Sequence, residues 1–240
     1  RIKQEQLFRF SARDACACTR PLVYCHQLEE QRMNVDQLID SLREDRDFLS
    51  CVSNWQVLPA REASYAAWPA GVQEKLIRAL GARGIARLYT HQAAAVDKAL
   101  RREDVCVVTP TASGKTLCYN VPILSEILRN DDARALYLFP TKALSQDQVA
   151  ELYELITQMD VDIKTYTYDG DTPAAARKAI RQAGHVVVTN PDMLHSNILP
   201  HHTQWVKLFE NLRFIVIDEI HTYRGIFGAN LANVLRRLMR

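Results

Sequence analysis

The sequence predicts an α/β domain, a doubly wound parallel sheet with helices on both faces, preceded by a helical N-terminal region. Two observations carry this. Short, almost wholly apolar runs recur at residues 105–108, 135–139, 163–166, 186–189 and 214–217. Strands that are apolar throughout, instead of at every second position, are buried on both faces. Helical patterns lie between these runs, and strand–helix alternation with such strands builds a parallel sheet closed by crossover helices.

In chain order, residues 1–32 show no clear periodicity and read as an extension, with Met33 a candidate natural start. From Asn34, Leu38 and Leu42, then Phe48 and Leu49, suggest an amphipathic helix. Between Trp55 and Trp68, with Pro59 inside and Pro69 just beyond, an ordered linker is expected. Helical patterns follow at 70–82 and 91–102, with Gly81 and Gly84 between them. The helix at about 142–158 aligns Val149, Leu152, Tyr153 and Ile156, and that at 226–240 aligns Leu231, Val234, Leu235 and Leu238. On the latter, Arg236, Arg237 and Arg240 read as a solvated face. The resulting division is 1–32 extension, 33–84 helical accessory and linker region, and 85–240 the sheet domain.

Composition excludes more than it assigns. With 30 basic against 28 acidic residues, the net charge is +2, so any nucleic-acid affinity must come from local clustering. No apolar run is long enough to span a bilayer, and the short run at 7–10 is no signal peptide, which favours a cytoplasmic protein with no membrane partner. Cys106 and Cys118 sit in apolar patterns and are expected to be buried thiols. Cys16, Cys18 and Cys25 crowd beside His26, but a one-residue gap does not match the spacing of zinc sites, and chance clustering is the expectation.

The run at 105–108 leads into Thr109-Pro110-Thr111-Ala112-Ser113-Gly114-Lys115-Thr116-Leu117 and a helix, matching the end of the phosphate-binding loop pattern. In such a loop, backbone N–H groups and a helix N-terminus hold phosphates. Gly114 allows close approach, Lys115 reaches the β- and γ-phosphates, and Thr116 ligates Mg²⁺. The first glycine of the general pattern is replaced by Thr109, and Pro122 is expected to kink the following helix. The last apolar run ends in Asp218-Glu219-Ile220-His221. Carboxylates at the C-terminal end of a parallel strand lie where such sheets bind ligands. Asp218 is placed to hold Mg²⁺ and Glu219 to orient and deprotonate water.

Together these two segments resemble motifs I and II of superfamily 2 DEAD/DEAH-box helicases, which tolerate loss of the first loop glycine. Phe139-Pro140-Thr141-Lys142-Ala143-Leu144 resembles motif Ia, Thr189-Asn190-Pro191-Asp192-Met193-Leu194-His195 motif Ib, and Leu88-Tyr89-Thr90-His91-Gln92 the adenine-reading Q motif. Wording at 168–173 and 219–228 is similar to the MrfA-like DNA repair helicases, related to the RecQ-like four subgroup. The resemblance covers roughly residues 35–240 and implies a RecA-like fold. It implies ATP and Mg²⁺ as cofactors, with nucleotide contacts from Gln92, Thr111, Ala112, Ser113, Gly114, Lys115, Thr116 and Leu117. Pro140, Thr141, Lys142, Thr189, Asn190 and Pro191 would follow the backbone of one strand, and His221 would couple the nucleotide site to a partner domain. An adenine-stacking aromatic is expected upstream of Gln92, but neither Tyr89 nor Trp68 has the spacing to be assigned.

The resemblance implies single-stranded or tailed duplex DNA as partner, unwound 3′ to 5′, with no residue here excluding RNA. The chain stops soon after motif II, so the second RecA-like domain, with its arginine fingers, is expected elsewhere in a longer protein. Alone, the chain is expected to bind nucleotide weakly and to hydrolyse almost none. Two other readings stay open: an ATPase or translocase that remodels complexes without unwinding, and a truncated, non-enzymatic nucleic-acid-binding product.

Overall fold

The computed structural model describes residues 6–10, 34–57, 59, 62–110 and 113–240. The chain divides into two compact units, Arg1–Ala63 and Ser64–Arg240.

In the first unit, α1 (Val35–Glu44) starts from a reciprocal cap: Asn34 Oδ1 accepts from the Gln37 N–H at 2.8 Å, and Gln37 Oε1 accepts from the Asn34 N–H at 3.0 Å. Asp45 then caps α2 (Arg46–Ser50) by accepting from the Asp47 and Phe48 N–H groups. Each cap satisfies donors that the first helical turn leaves without partners. The chain next forms β2 (Val52–Val57), antiparallel to β1 (Gln6–Phe10). The N-terminal region is therefore not purely helical, and the expected linker begins only after residue 57. The cysteine cluster at 16–25 and Met33 lie outside the described residues.

In the second unit, β3 (Tyr65–Ala66) pairs antiparallel with β4 (Leu88–Tyr89), with α3 (Glu74–Ala82) between them. There follow α4 (Thr90–Leu100), α5 (Lys115–Arg129), β5 (Arg134–Leu138), α6 (Lys142–Met159), β6 (Thr165–Thr167), α7 (Ala174–Ala183) and β7 (Val186–Thr189). A short helix, α8 (Pro191–Met193), leads through π-type and 3-10 turns to α9 (Val206–Glu210), then β8 (Leu212–Ile217) and α10 (Gly225–Leu238). Strands β6, β7, β5 and β8 lie side by side in that order, all parallel.

Because successive strand residues point to opposite faces, the apolar strands feed two cores. Ala135, Tyr137, Val186, Val188, Phe214 and Val216 face one, where α3, α4, α5 and α6 pack. Leu136, Leu138, Val187, Ile215 and Ile217 face the other, against α7, α9, α10 and the turns after α8. Trp205 is wholly buried there, edge-on to Tyr168 at 4.9 Å. On α6, Leu152 and Ile156 are buried as expected, but Tyr153 is 64% exposed.

The apolar run at 105–108 is the main departure. It forms no strand, and Val108 is 87% exposed. A strand exists only where another backbone takes up its hydrogen bonds, and among the described residues the sheet ends at β8, whose residues are at most half-buried. Cys106, on this segment, is exposed, whereas Cys118 is buried as expected and burial pushes its thiol up to about 11. Strand β6 begins at Thr165, later than its sequence pattern suggests, and α5 runs on through Pro122.

Candidate nucleotide site and strand track

The phosphate loop ends in Gly114 (φ 71°), the residue that caps α5. Two features reserve this position for glycine. Positive φ disfavours residues with a Cβ, and a Cβ there would stand 2.5 Å from Gln92 Nε2. Gln92 is buried at the start of α4; its amide donates to the Gly114 carbonyl at 2.9 Å and accepts from the Tyr89 N–H at 2.9 Å. His91 Nε2 lies 3.2 Å from the Ser113 carbonyl and donates to it. The expected adenine-reading segment thus grips the loop backbone. Beside it, Tyr65, Tyr89 and His91 form a stack, with Arg87 over the outer face of Tyr65.

Lys115 Nζ donates to the Thr109 and Pro110 carbonyls, both at 3.1 Å, and the Thr109 hydroxyl lies 2.6 Å from that of Ser113. Among the described residues, no ion pair joins Lys115 to a carboxylate. The Leu117 N–H is turned to the Gly114 carbonyl at 3.2 Å. Thr111 and Ala112 lie outside the described residues.

Asp218 follows β8 and is fixed on both oxygens. Oδ1 accepts from the Glu219 N–H at 2.8 Å, and Oδ2 accepts from the Tyr119 hydroxyl at 3.1 Å. Glu219 holds a left-handed backbone (φ 49°), stabilised by the Thr222 N–H and hydroxyl on its carbonyl. Such a conformation costs a non-glycine residue about 1–3 kcal/mol. His221 Nδ1 lies 3.1 Å from Glu219 Oε2. Burial, then the Asp218 charge, raises the Tyr119 phenol well above its ordinary range, while the neighbouring Thr116 side chain opposes the rise. Tyr119, three residues after Thr116 on α5, thereby brings the start of that helix to the Asp218 carboxylate. Two hard oxygens, an ammonium with no carboxylate partner among the described residues and a loop closed by Gly114 fit a magnesium nucleotide.

The two expected strand-contacting segments come together at the C-terminal ends of β5 and β7. Thr141, Lys142, Thr189 and Asn190 line one small depression with Thr167 and Asp169. Thr141 caps α6 by accepting from the Leu144 N–H, and Asn190 caps α8 by accepting from the Met193 N–H, with Pro191 buried in its first turn and Pro140 half-buried before Thr141. Lys142 is paired with Asp171, whose hydrogen bond raises the ammonium pKa and lowers that of the carboxyl. Thr189 is 3% exposed and its hydroxyl donates to the Tyr168 carbonyl at 2.7 Å. It builds the wall of the depression and leaves the polar contacts to its neighbours. Arg236 and Arg237 are exposed on α10, as their spacing implies.

Residues 89–240, more than half of the chain, match the family model for the DEAD/DEAH box helicase. The chain belongs to that family. It is 54% identical over 210 residues to the "Uncharacterized ATP-dependent helicase YprA" of Bacillus subtilis, spanning 88% of this chain and 28% of that protein. It is 37% identical to the ATP-dependent helicase hrq1 of Schizosaccharomyces pombe, over 89% of this chain and 20% of the other. Among solved structures it is similar to the DUF1998 helicase MrfA bound to DNA and AMPPNP, with a TM-score of 0.79 and 55% identity over 86% of this chain and 28% of that one. The DEAD-box helicase Mss116, at 19% identity and a TM-score of 0.56, shares the fold. That fold is RecA-like, a parallel sheet between helices. This helicase domain thus spans less than a third of the relatives it matches.

The sequence reading named Lys115, Thr116, Asp218 and Glu219 as candidates but not Tyr119, which the structure sets against Asp218, nor Gln148 on α6, which shares the Tyr119 hydroxyl at 3.1 Å, nor Asp171 beside Lys142. Tyr119 follows Lys115 by four residues, one helical turn along the same face, and that spacing was the available signal.

Proposed function

We propose that this domain binds MgATP and one strand of nucleic acid as part of an ATP-dependent DNA helicase that moves 3′ to 5′ and serves DNA repair. The observation that carries the reading is one of placement. Asp218 and Glu219 follow the end of β8, tied through Tyr119 to the helix that Lys115 and Thr116 open, while Thr141, Lys142 and Asn190 lie at the C-terminal ends of neighbouring strands. Ligands of open parallel sheets bind at that edge.

In this reading Lys115 leaves the Thr109 and Pro110 carbonyls for phosphate oxygens, and the free N–H groups at the start of α5 add donors. Gln92 turns its amide to the adenine edge; because it also holds the Gly114 carbonyl, base recognition and loop shape are linked. Thr116 and Asp218 hold Mg²⁺, which supplies positive charge where the transferred phosphoryl group accumulates negative charge. Glu219 orients the attacking water and takes its proton, and His221, in contact with the same carboxylate, reports its state to a partner domain. Thr141, Lys142 and Asn190 hold sugar-phosphate from caps that leave donors free. Lys142 exchanges Asp171 for a phosphate. A second RecA-like domain in the longer protein supplies the arginine fingers, worth about 10³–10⁵ in turnover. Residues 33–84 form the accessory and linker region and 85–240 the first motor domain.

DNA is favoured because the MrfA relative was solved bound to it. Strand displacement by the full-length protein tests the reading, with 3′-tailed DNA, 5′-tailed DNA and 3′-tailed RNA duplexes as substrates. ATP-dependent displacement of the 3′-tailed DNA is expected. Stimulated ATP hydrolysis without displacement of any duplex would replace the helicase reading with that of a translocase.

A further inference from the structure

Tyr119 and Gln148 have no role in the proposed function, yet they join its parts. Tyr119 projects from the second turn of α5, and its ring is held edge-on against Tyr137 of the central strand β5, at 5.4 Å between centroids. Its hydroxyl lies 3.1 Å from Asp218 Oδ2 and 3.1 Å from Gln148 Oε1. Gln148 belongs to α6, the helix capped by Thr141 and opened by Lys142. Seven residues separate it from Thr141, roughly 10 Å along a helix axis.

We propose that Tyr119 is a positioning residue for the Asp218 carboxylate and that, through Gln148, it couples this carboxylate to the helix that meets the nucleic-acid strand. The inference rests on the functional reading above, in which Asp218 holds Mg²⁺ and Thr141 and Lys142 meet sugar-phosphate.

The physical basis is a count of protons. A phenol has one O–H to donate, and here two acceptors stand at equal distance, a carboxylate and an amide oxygen. When Gln148 presents its oxygen, the two compete for that proton. When the amide makes a half-turn, its N–H donates to the phenol oxygen and the phenol proton goes wholly to Asp218. A half-turn of one side chain on α6 therefore adds or removes a charge-assisted hydrogen bond on the metal-binding carboxylate. The Tyr137 contact holds the phenol in place throughout, so the state of α6 is transmitted and not absorbed.

The test uses the full-length protein as wild type, Tyr119→Phe, Gln148→Ala and the double variant. Binding of the fluorescent nucleotide mant-ADP is titrated with Mg²⁺, with and without single-stranded oligothymidine, so no readout depends on turnover. Tyr119→Phe keeps the ring on Tyr137 and removes one oxygen. It should raise the Mg²⁺ concentration for half-maximal binding by roughly tenfold, the scale of one hydrogen bond to a charged group. It should also abolish the effect of oligothymidine on nucleotide affinity. Gln148→Ala should abolish that strand effect as well, and the double variant should lose no more of it than Tyr119→Phe alone. An unchanged Mg²⁺ dependence in Tyr119→Phe, or a strand effect that survives in either single variant, overturns the inference alone. A wild-type protein whose nucleotide affinity ignores both Mg²⁺ and oligothymidine overturns the functional reading, and the inference falls with it.

Discussion

At the scale of single residues, the site depends on how little room surrounds Gly114. A methyl group there meets the Gln92 amide at 2.5 Å, and the backbone lies at φ 71°. Gly114→Ala should weaken mant-ATP binding by at least tenfold while leaving the melting temperature within a few degrees, since the loop is surface and the two cores are untouched. Wild-type affinity in this variant would show that Gln92 moves away freely and does not shape the loop. The residues with unusual chemistry were legible in the sequence. A lysine and threonine after a glycine, and paired acids after an apolar run, are uncommon enough to announce themselves. Residues that act through ordinary contacts were not. Thr189 reads as a strand contact, and the sequence does not show that its hydroxyl also donates to the Tyr168 carbonyl. No sequence pattern distinguishes a capping or contacting threonine from one that buries its hydroxyl.

At the scale of elements, apolar periodicity located four of the five expected strands, to within two residues at their starts, because β5, β7 and β8 draw on both cores and β6 pairs along β7. It failed at 105–108 because strand formation depends on a neighbour, which lies outside the local pattern. The ends of β6 and β7 reveal a device that the sequence also hid. His185, 6% exposed, accepts the Lys164 N–H on Nδ1 at 3.0 Å, so its proton sits on Nε2, which donates to Asp131 Oδ1 at 3.2 Å. Burial first, then the Arg134 charge, lowers the imidazole pKa below its ordinary range despite Asp131. The unfolded chain therefore takes up this proton at a higher pH than the folded one. Stability from neutral His185 is fully present above the ordinary imidazole pKa and is lost as pH falls below it. Thermal melts at pH 7.5 and 5.5 should show wild type losing more stability on acidification than His185→Asn. Equal losses would mean that His185 charges as easily inside as out.

At the scale of the whole molecule, one sheet edge gathers both sets of candidate site residues. The crossover helices bring segments far apart in sequence to the same ends of parallel strands, with Asp218 after β8, Thr141 after β5 and Asn190 after β7. The architecture and its family were legible because each motif pairs a rare residue set with a strand end. How the motifs communicate was not, since Tyr119, Gln148 and Asp171 carry no signature outside their geometry. The central claim is that this edge makes a nucleic-acid-driven ATPase of the protein that contains it. The most direct measurement is steady-state ATP hydrolysis by the full-length protein, with and without single-stranded DNA, for wild type and Lys115→Ala. Turnover should rise severalfold with DNA in wild type and fall to background in the variant under both conditions. DNA-stimulated hydrolysis that survives Lys115→Ala would contradict it.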